Sequence, residues 1–155
     1  QLIKIEPENF EYYLKRAKAF NLIGENVNAS KDLYFYLNFF PENMQVSFEL
    51  ARIYNLTNNY IESLKILNNL IKIDPSNYEY YFERGKAYYY SNMLSYAEND
   101  FAMVLDINPE IGEAYYFMGM INIKKKNKQV ACEFFNKALS KGIKNSVAMI
   151  IDYCQ

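Results

Sequence analysis

Side chains able to do chemistry are few in this chain, and their spacing does not assemble a reaction centre. Histidine is absent, which removes the commonest general base, the usual partner of a Ser or Cys nucleophile and the commonest metal ligand. The two cysteines, Cys132 and Cys154, cannot make a four-ligand zinc site alone, and their spacing is not that of a Cys-x-x-Cys redox pair. Buried or idle thiols are the expectation; nothing in the sequence supports a disulfide between them. Glu49 and Glu83 are one repeat apart and read as solvated carboxylates. There is no Gly-rich phosphate loop and no metal-ligand cluster in the sequence. The chain is therefore not expected to be an enzyme, and no cofactor or metal is implied. The one sharp basic run, Lys124-Lys125-Lys126 with Lys128 behind it, reads as a solvated turn between helices. The formal net charge of −1 lacks the basic excess of a nucleic-acid binder, so nucleic acid is not an expected partner.

The elements that must position the remaining candidates follow from length and pattern. The chain has 155 residues, half of them hydrophobic and many of those Tyr or Phe. That suits one domain or a short repeat array and excludes a disordered tail. No apolar stretch approaches the length needed to span a bilayer, so membrane insertion is not expected. No secretory signal opens the chain. It begins at Gln1 and is expected to be a piece of something longer. The compartment stays open, with the cytoplasm as default.

The four prolines, Pro7, Pro41, Pro75 and Pro109, stand 34 residues apart, in the contexts IEPEN, FFPEN, IDPSN and INPEI. A fixed period of this size predicts stacked helical repeats. Proline ends a helix at the residue before it, and Asn9, Asn43 and Asn77 follow two residues later as N-caps; the fourth copy has Ile111 there and loses the cap. Between prolines the apolar spacing is helical. The first helix of each copy carries the stripes Tyr13-Arg16-Ala17-Phe20, Ser47-Leu50-Ala51-Tyr54, Tyr81-Arg84-Gly85-Tyr88 and Tyr115-Met118-Gly119-Asn122. The second carries Ala29-Leu33-Tyr36, Ser63-Leu67-Leu70, Ala97-Phe101-Val104 and Ala131-Phe135-Ala138. The third residue of the first stripe and the first of the second are small in every copy, so each pair is expected to clasp at a small–small crossing. The turns inside the pairs fall near Gly24, Asn58-Asn59, Asn92 and Lys126-Asn127.

The chain resembles the tetratricopeptide repeat family, most fully in YYFERGKAYYYSNMLSYAENDFAMVLDINP, residues 80 to 109. The period, the helix–turn–helix unit, both stripes and the closing proline carry the resemblance. It implies an all-α fold, a right-handed α-solenoid of antiparallel helix pairs wound as a tetratricopeptide superhelix. The copies are expected at 10–43, 44–77, 78–111 and 112–145. Residues 1–9, with Leu2 and Ile5 before Pro7, read as the tail of a preceding copy. Residues 146–155 read as a capping or truncated helix, with Tyr153 where a small residue belongs. Arg16 and Arg84 replace an expected leucine and Asn122 a tyrosine; the Arg stems are expected to cover apolar surface while their heads reach water.

The resemblance also implies a concave groove lined by the first helix of each pair. The expected groove residues are Glu11, Leu14, Lys18 and Asn21; Gln45, Phe48, Arg52 and Asn55; Glu79, Phe82, Lys86 and Tyr89; Glu113, Tyr116, Met120 and Ile123. They form an acidic or amide column, a mostly aromatic column and a basic column that ends at Met120. Aromatic anchors would supply burial and charges would set register, although acids in first helical turns are favoured by the helix dipole whatever the function. The carboxylate clamp of some family members is not expected, because Leu14, Glu49 and Glu83 occupy its rungs. The implied function is a protein–protein interaction scaffold that binds a peptide or partner helix in the groove. The alternative is a structural portion of a larger enzyme or of a secretion or assembly machine that packs on its own chain. Apolar array ends leave self-association open.

Overall fold

The computed structural model describes residues 9–154. The expected repeat tail over residues 1–9 therefore lies outside the described residues, apart from Asn9. All regular structure among the described residues is helical: α1 (Phe10–Leu22), α2 (Asn26–Leu37), α3 (Met44–Leu56), α4 (Tyr60–Ile73), α5 (Tyr78–Tyr90), α6 (Leu94–Ile107), α7 (Gly112–Lys124), α8 (Lys128–Ser140) and α9 (Ser146–Tyr153). The fold is an all-α solenoid of antiparallel helix pairs. It divides into two compact units, residues 1–73 and 74–155.

Of the expected asparagine caps, Asn43 and Asn77 cap through their side chains, whereas α1 starts after Asn9 with no side-chain cap hydrogen bond. The Asn43 side chain accepts a hydrogen bond from the Val46 amide at 3.1 Å, and Asn77 accepts one from Glu79 at 3.0 Å. Ile111 starts α7 without a side-chain cap, as an apolar residue must. Inside each pair, the turn residue takes the left-handed conformation: Gly24 (φ 79°), Asn58 (60°), Asn92 (60°) and Lys126 (63°). The next amide then reaches back to close the helix end, Glu25 to Phe20, Asn59 to Tyr54, Met93 to Tyr88 and Asn127 to Asn122, each at 2.8 Å. Gly and Asn tolerate this geometry and Lys does not, so the fourth turn is held by its surroundings rather than by preference. In the lysine run, Lys124, Lys126 and Lys128 are exposed, as expected of a solvated turn, and Lys125 is half-buried. Lys125 bonds Glu98 on α6, and the Lys124 ammonium lies 4.3 Å from the centre of the Tyr89 ring.

In the first unit, α1 packs on α2, α2 on α3 and α3 on α4. Ala17, Ala29, Leu33, Val46, Leu50 and Ile53 form the buried centre. The small–small crossing is direct here: the Ser63 hydroxyl donates to the Ala51 carbonyl at 3.0 Å. In the second unit, α5 packs on α6, α6 on α7, α7 on α8 and α8 on α9. Phe101, Val104, Ile121 and Phe135 are wholly buried there.

The second unit departs from the expected crossing. A Cβ placed on Gly85 would lie 3.0 Å from the Phe101 ring, and one on Gly119 only 2.5 Å from the Phe135 ring. The glycine thus seats an aromatic ring from the paired helix, in addition to any small partner. The sequence follows the same trade: Ala17 and Ala51 go with Leu33 and Leu67, whereas Gly85 and Gly119 go with Phe101 and Phe135. A missing methyl on one helix makes room for the larger ring on the other.

The cysteines also depart from expectation. Cys132 on α8 and Cys154 after α9 are not idle thiols but are joined as a disulfide, with Cα atoms 5.7 Å apart. The helix pair α8–α9 brings together two residues whose separation in sequence, 22 positions, gave no hint of it.

A Gly119→Ala substitution is expected to destabilise the chain by about 1–3 kcal/mol through overpacking. Adding Phe135→Leu, which restores the Ala–Leu pairing of the first two copies, is expected to recover most of that loss in urea unfolding followed by circular dichroism.

Candidate partner-binding surface

The first helices of the two copies in the first unit, α1 and α3, present equivalent positions side by side. Lys18 and Asn21 come from α1 and Glu49 and Arg52 from α3. Together with Ala17, Leu33 and Ile53 and the rim residues Leu22 and Leu56, they line a pocket of about 330 Å³. This falls within the usual size of a ligand pocket. Lys18 is exposed and Glu49 half-buried. The Arg52 guanidinium lies 5.9 Å from the Phe48 ring centre. Leu22 is 86% and Leu56 63% exposed, two of the chain's many exposed large apolar side chains, and both border this one pocket. The expected groove residues of this unit therefore split. Lys18 and Arg52 line the pocket. Leu14 packs against the buried centre, and Glu11 pairs with Lys15 on its own helix at 3.7 Å. Phe48 is only 7% exposed, so it serves packing rather than contact.

In the second unit, α5 and α7 carry the equivalent positions. Glu79 and Glu113 are exposed, and Tyr116, Met120 and Ile123 are half-buried. Phe82 is half-buried, with its ring 5.7 Å from Phe101 and 6.0 Å from Phe117. Lys86 is not a free cation: it bonds buried Glu83 at 2.9 Å and lies 5.5 Å from the Phe82 ring centre. Tyr89, expected as a contact, is 6% exposed, and burial raises its hydroxyl above the usual tyrosine range. The reason is Phe117. Its ring stacks on Phe101 at 4.9 Å and stands edge-on to Tyr89 at 5.4 Å. Phe117 was missed because its helical position is charged in the other copies (Lys15, Glu49, Glu83); the change of type in that column was the signal.

The arginines in the packing stripes are corrected too. Both heads are paired with a carboxylate; Arg16 still reaches water, its side chain 44% exposed, whereas that of Arg84 is 19% exposed. Arg16 bonds Asp32 through two nitrogens, both at 2.6 Å, and Arg84 bonds Asp100 at 2.8 and 2.7 Å. Each guanidinium also lies over two rings of its own stripe, Tyr13 and Phe20 at 5.5 and 5.7 Å, and Tyr81 and Tyr88 at 5.5 and 5.9 Å. Tyr81 and Tyr88 of the aromatic run are thus scaffold. The second copy has Leu50 and Ile66 where these pairs sit, and the fourth has Met118 and Phe134. Comparing copies at this pair of positions would have revealed the switch from ionic to apolar.

The Arg84–Asp100 pair is well buried, with side chains 19% and 5% exposed. Burial raises the Asp100 carboxyl above its usual range, although the hydrogen bond from Arg84 pulls it down. That same hydrogen bond raises the Arg84 guanidinium. Asp100 therefore takes up a proton more readily folded than unfolded. Its titration favours the fold most below the ordinary carboxylate range, and this contribution is lost as pH rises through the raised value. Acid does not unfold the chain through this group.

Residues 45–77 and 112–140 match the family model of the tetratricopeptide repeat. No curated protein matches the chain. Among solved structures, the chain is similar to MamA residues 41-end from Desulfovibrio magneticus RS-1, with 19% identity and a TM-score of 0.82, covering 93% of this chain and 80% of that one. A second MamA structure gives 21% identity and a TM-score of 0.80, covering 94% and 85%. A tetratricopeptide repeat protein from Parabacteroides merdae ATCC 43184 gives 24% identity and a TM-score of 0.74, covering 88% and 55%. At these identities the likeness is one of fold.

Asp100→Ala, which leaves Arg84 unpaired, is expected to cost about 3–5 kcal/mol of stability. The double change Arg84→Leu with Asp100→Ile, copying the second repeat, is expected to be neutral or stabilising. Urea midpoints of the three proteins decide the matter.

Proposed function

We propose that this chain, a tetratricopeptide repeat array, is a protein-interaction scaffold that holds a peptide or partner helix on the face made by the first helices of its pairs. Repeat arrays of this kind are protein-interaction scaffolds, and binding on that face follows the general habit of solenoids. No helix among the described residues is long and apolar enough to cross a membrane.

The observation that carries the reading is the pocket between α1 and α3. Its floor is apolar (Ala17, Leu33, Ile53), its rim exposes Leu22 and Leu56, and Lys18 and Arg52 stand at its wall. Such a site accepts one large apolar side chain, with the charges of Lys18, Glu49 and Arg52 beside it to set the orientation of what enters. In the second unit, exposed Glu79 and Glu113 and half-buried Phe82, Tyr116, Met120 and Ile123 would contribute contacts of their own, while Lys86 is engaged with Glu83. Phe48 and Tyr89 hold the surface from beneath.

The test uses two baits against lysate of the source organism: the chain itself and a Lys18→Glu, Arg52→Glu variant whose helices are verified by circular dichroism. A partner held by the first bait and weakened about tenfold or more in the second is the expected result. The same partner held equally by both would move recognition to another surface. Absence of a partner from both would favour an array that packs on a longer chain of its own.

A further inference from the structure

The end of the second unit is held in an unusual way. Helix α9 is eight residues long, against 12 to 14 for the other helices among those described. Its one buried residue is Ser146, while Val147, Ile151 and Tyr153 are 43%, 55% and 40% exposed. A helix this short is not stable by itself, and beyond Ser146 only Met149 and Ile150 of its side chains are even half-buried, so its apolar anchorage is slight. Its N-terminal end is fixed by the turn at Gly142 and Ile143, where the Ile143 amide bonds the Ala138 carbonyl at 3.0 Å. Its C-terminal end is fixed by the bond from Cys154 to Cys132 on α8.

Both cysteines are half-buried. They border a shallow pocket of about 500 Å³ together with Lys128, Gln129, Glu133 and Asn136. The bond is therefore open to attack by an incoming thiolate.

We propose that Cys132–Cys154 is a redox clasp: oxidation docks α9 on α8, reduction releases it, and the protein works where the clasp stays closed, in an oxidising compartment. Stable disulfides belong to such compartments and are rare in the reduced cytosol, which displaces the cytoplasmic default. Closing the clasp removes two protons and two electrons from the Cys132 and Cys154 thiols. The acceptor is the disulfide of a thiol–disulfide oxidoreductase. It first forms a mixed disulfide with one of the two cysteines and leaves as a dithiol when the other attacks. The two thiols are left joined to each other. Opening the clasp is the reverse exchange with a dithiol reductant.

Two measurements test this. In the first, protein isolated from its source is acid-quenched and alkylated before any reduction, and the linked Cys132 and Cys154 peptides are weighed by mass spectrometry. Linked peptides are expected; two alkylated free thiols would overturn the proposal. In the second, amide hydrogen exchange is compared for the oxidised chain, the dithiothreitol-reduced chain and a Cys132→Ser, Cys154→Ser variant. Exchange of residues 146–153 is expected to speed up at least tenfold in both open forms, while α7 and α8 keep their protection. Unchanged exchange in α9 would overturn the clasp. So would equal loss throughout the second unit, because the bond would then hold the unit and not the helix.

Discussion

Everything in this structure rests on how closely the two helices of a pair can approach. The distance is set at one position on the first helix, occupied by Ala17, Ala51, Gly85 or Gly119, because bulk at the crossing fixes the interaxial separation. Where that position is alanine, the opposite helix offers leucine; where it is glycine, a phenylalanine ring fills the space, close enough that a methyl would strike it. The repeat therefore conserves the volume of the crossing while exchanging the residues that fill it. The left-handed turn that follows each first helix serves the same end, since it returns the chain at the angle the crossing needs.

Much of this was legible in the sequence because it lies in local rules. Prolines stop helices, asparagines cap them, and small residues on a 34-residue period mark crossings. What was not legible depended on pairs of positions read together. Arg16 looks like an error in a leucine column until Asp32 is set beside it, and Arg84 until Asp100 is. The position on the second helix switches with the one on the first, ionic in one copy and apolar in the next. Single columns hide such a switch. The disulfide was hidden for a related reason: it depends on where a short terminal helix folds back, and neither cysteine carries a local signal of that.

Two of the aromatic residues expected on the candidate surface, Phe48 and Tyr89, are buried. Aromatic residues in such a column suggest the anchors of a groove because aromatics dominate binding hot spots. They also dominate cores, since each ring buries a large apolar area and stacks well on another. In the second unit the second use prevails. Phe117 draws Tyr89, Phe82 and Phe101 into one packed group, and Lys86 turns inward to neutralise buried Glu83. An aromatic column on a helix face is thus weak evidence for a ligand unless the rings stay exposed.

The same reasoning gives weight to what the first unit leaves open. Leu22 and Leu56 each end a first helix, one repeat apart, and neither packing nor capping requires a leucine there. The centre of the unit is built around Leu33, Leu50 and Ile53, and Leu22 and Leu56 stand largely outside it. A cation stands near each of them on the same helix, Lys18 and Arg52, and all four border one pocket. Apolar side chains beside charges on one concave surface are what motivates proposing this pocket as a binding face. On the proposed reading, recognition would rest on the aliphatic rim and charged wall of the first unit's pocket, whereas the rings gathered around Phe117 serve the packing of the second unit.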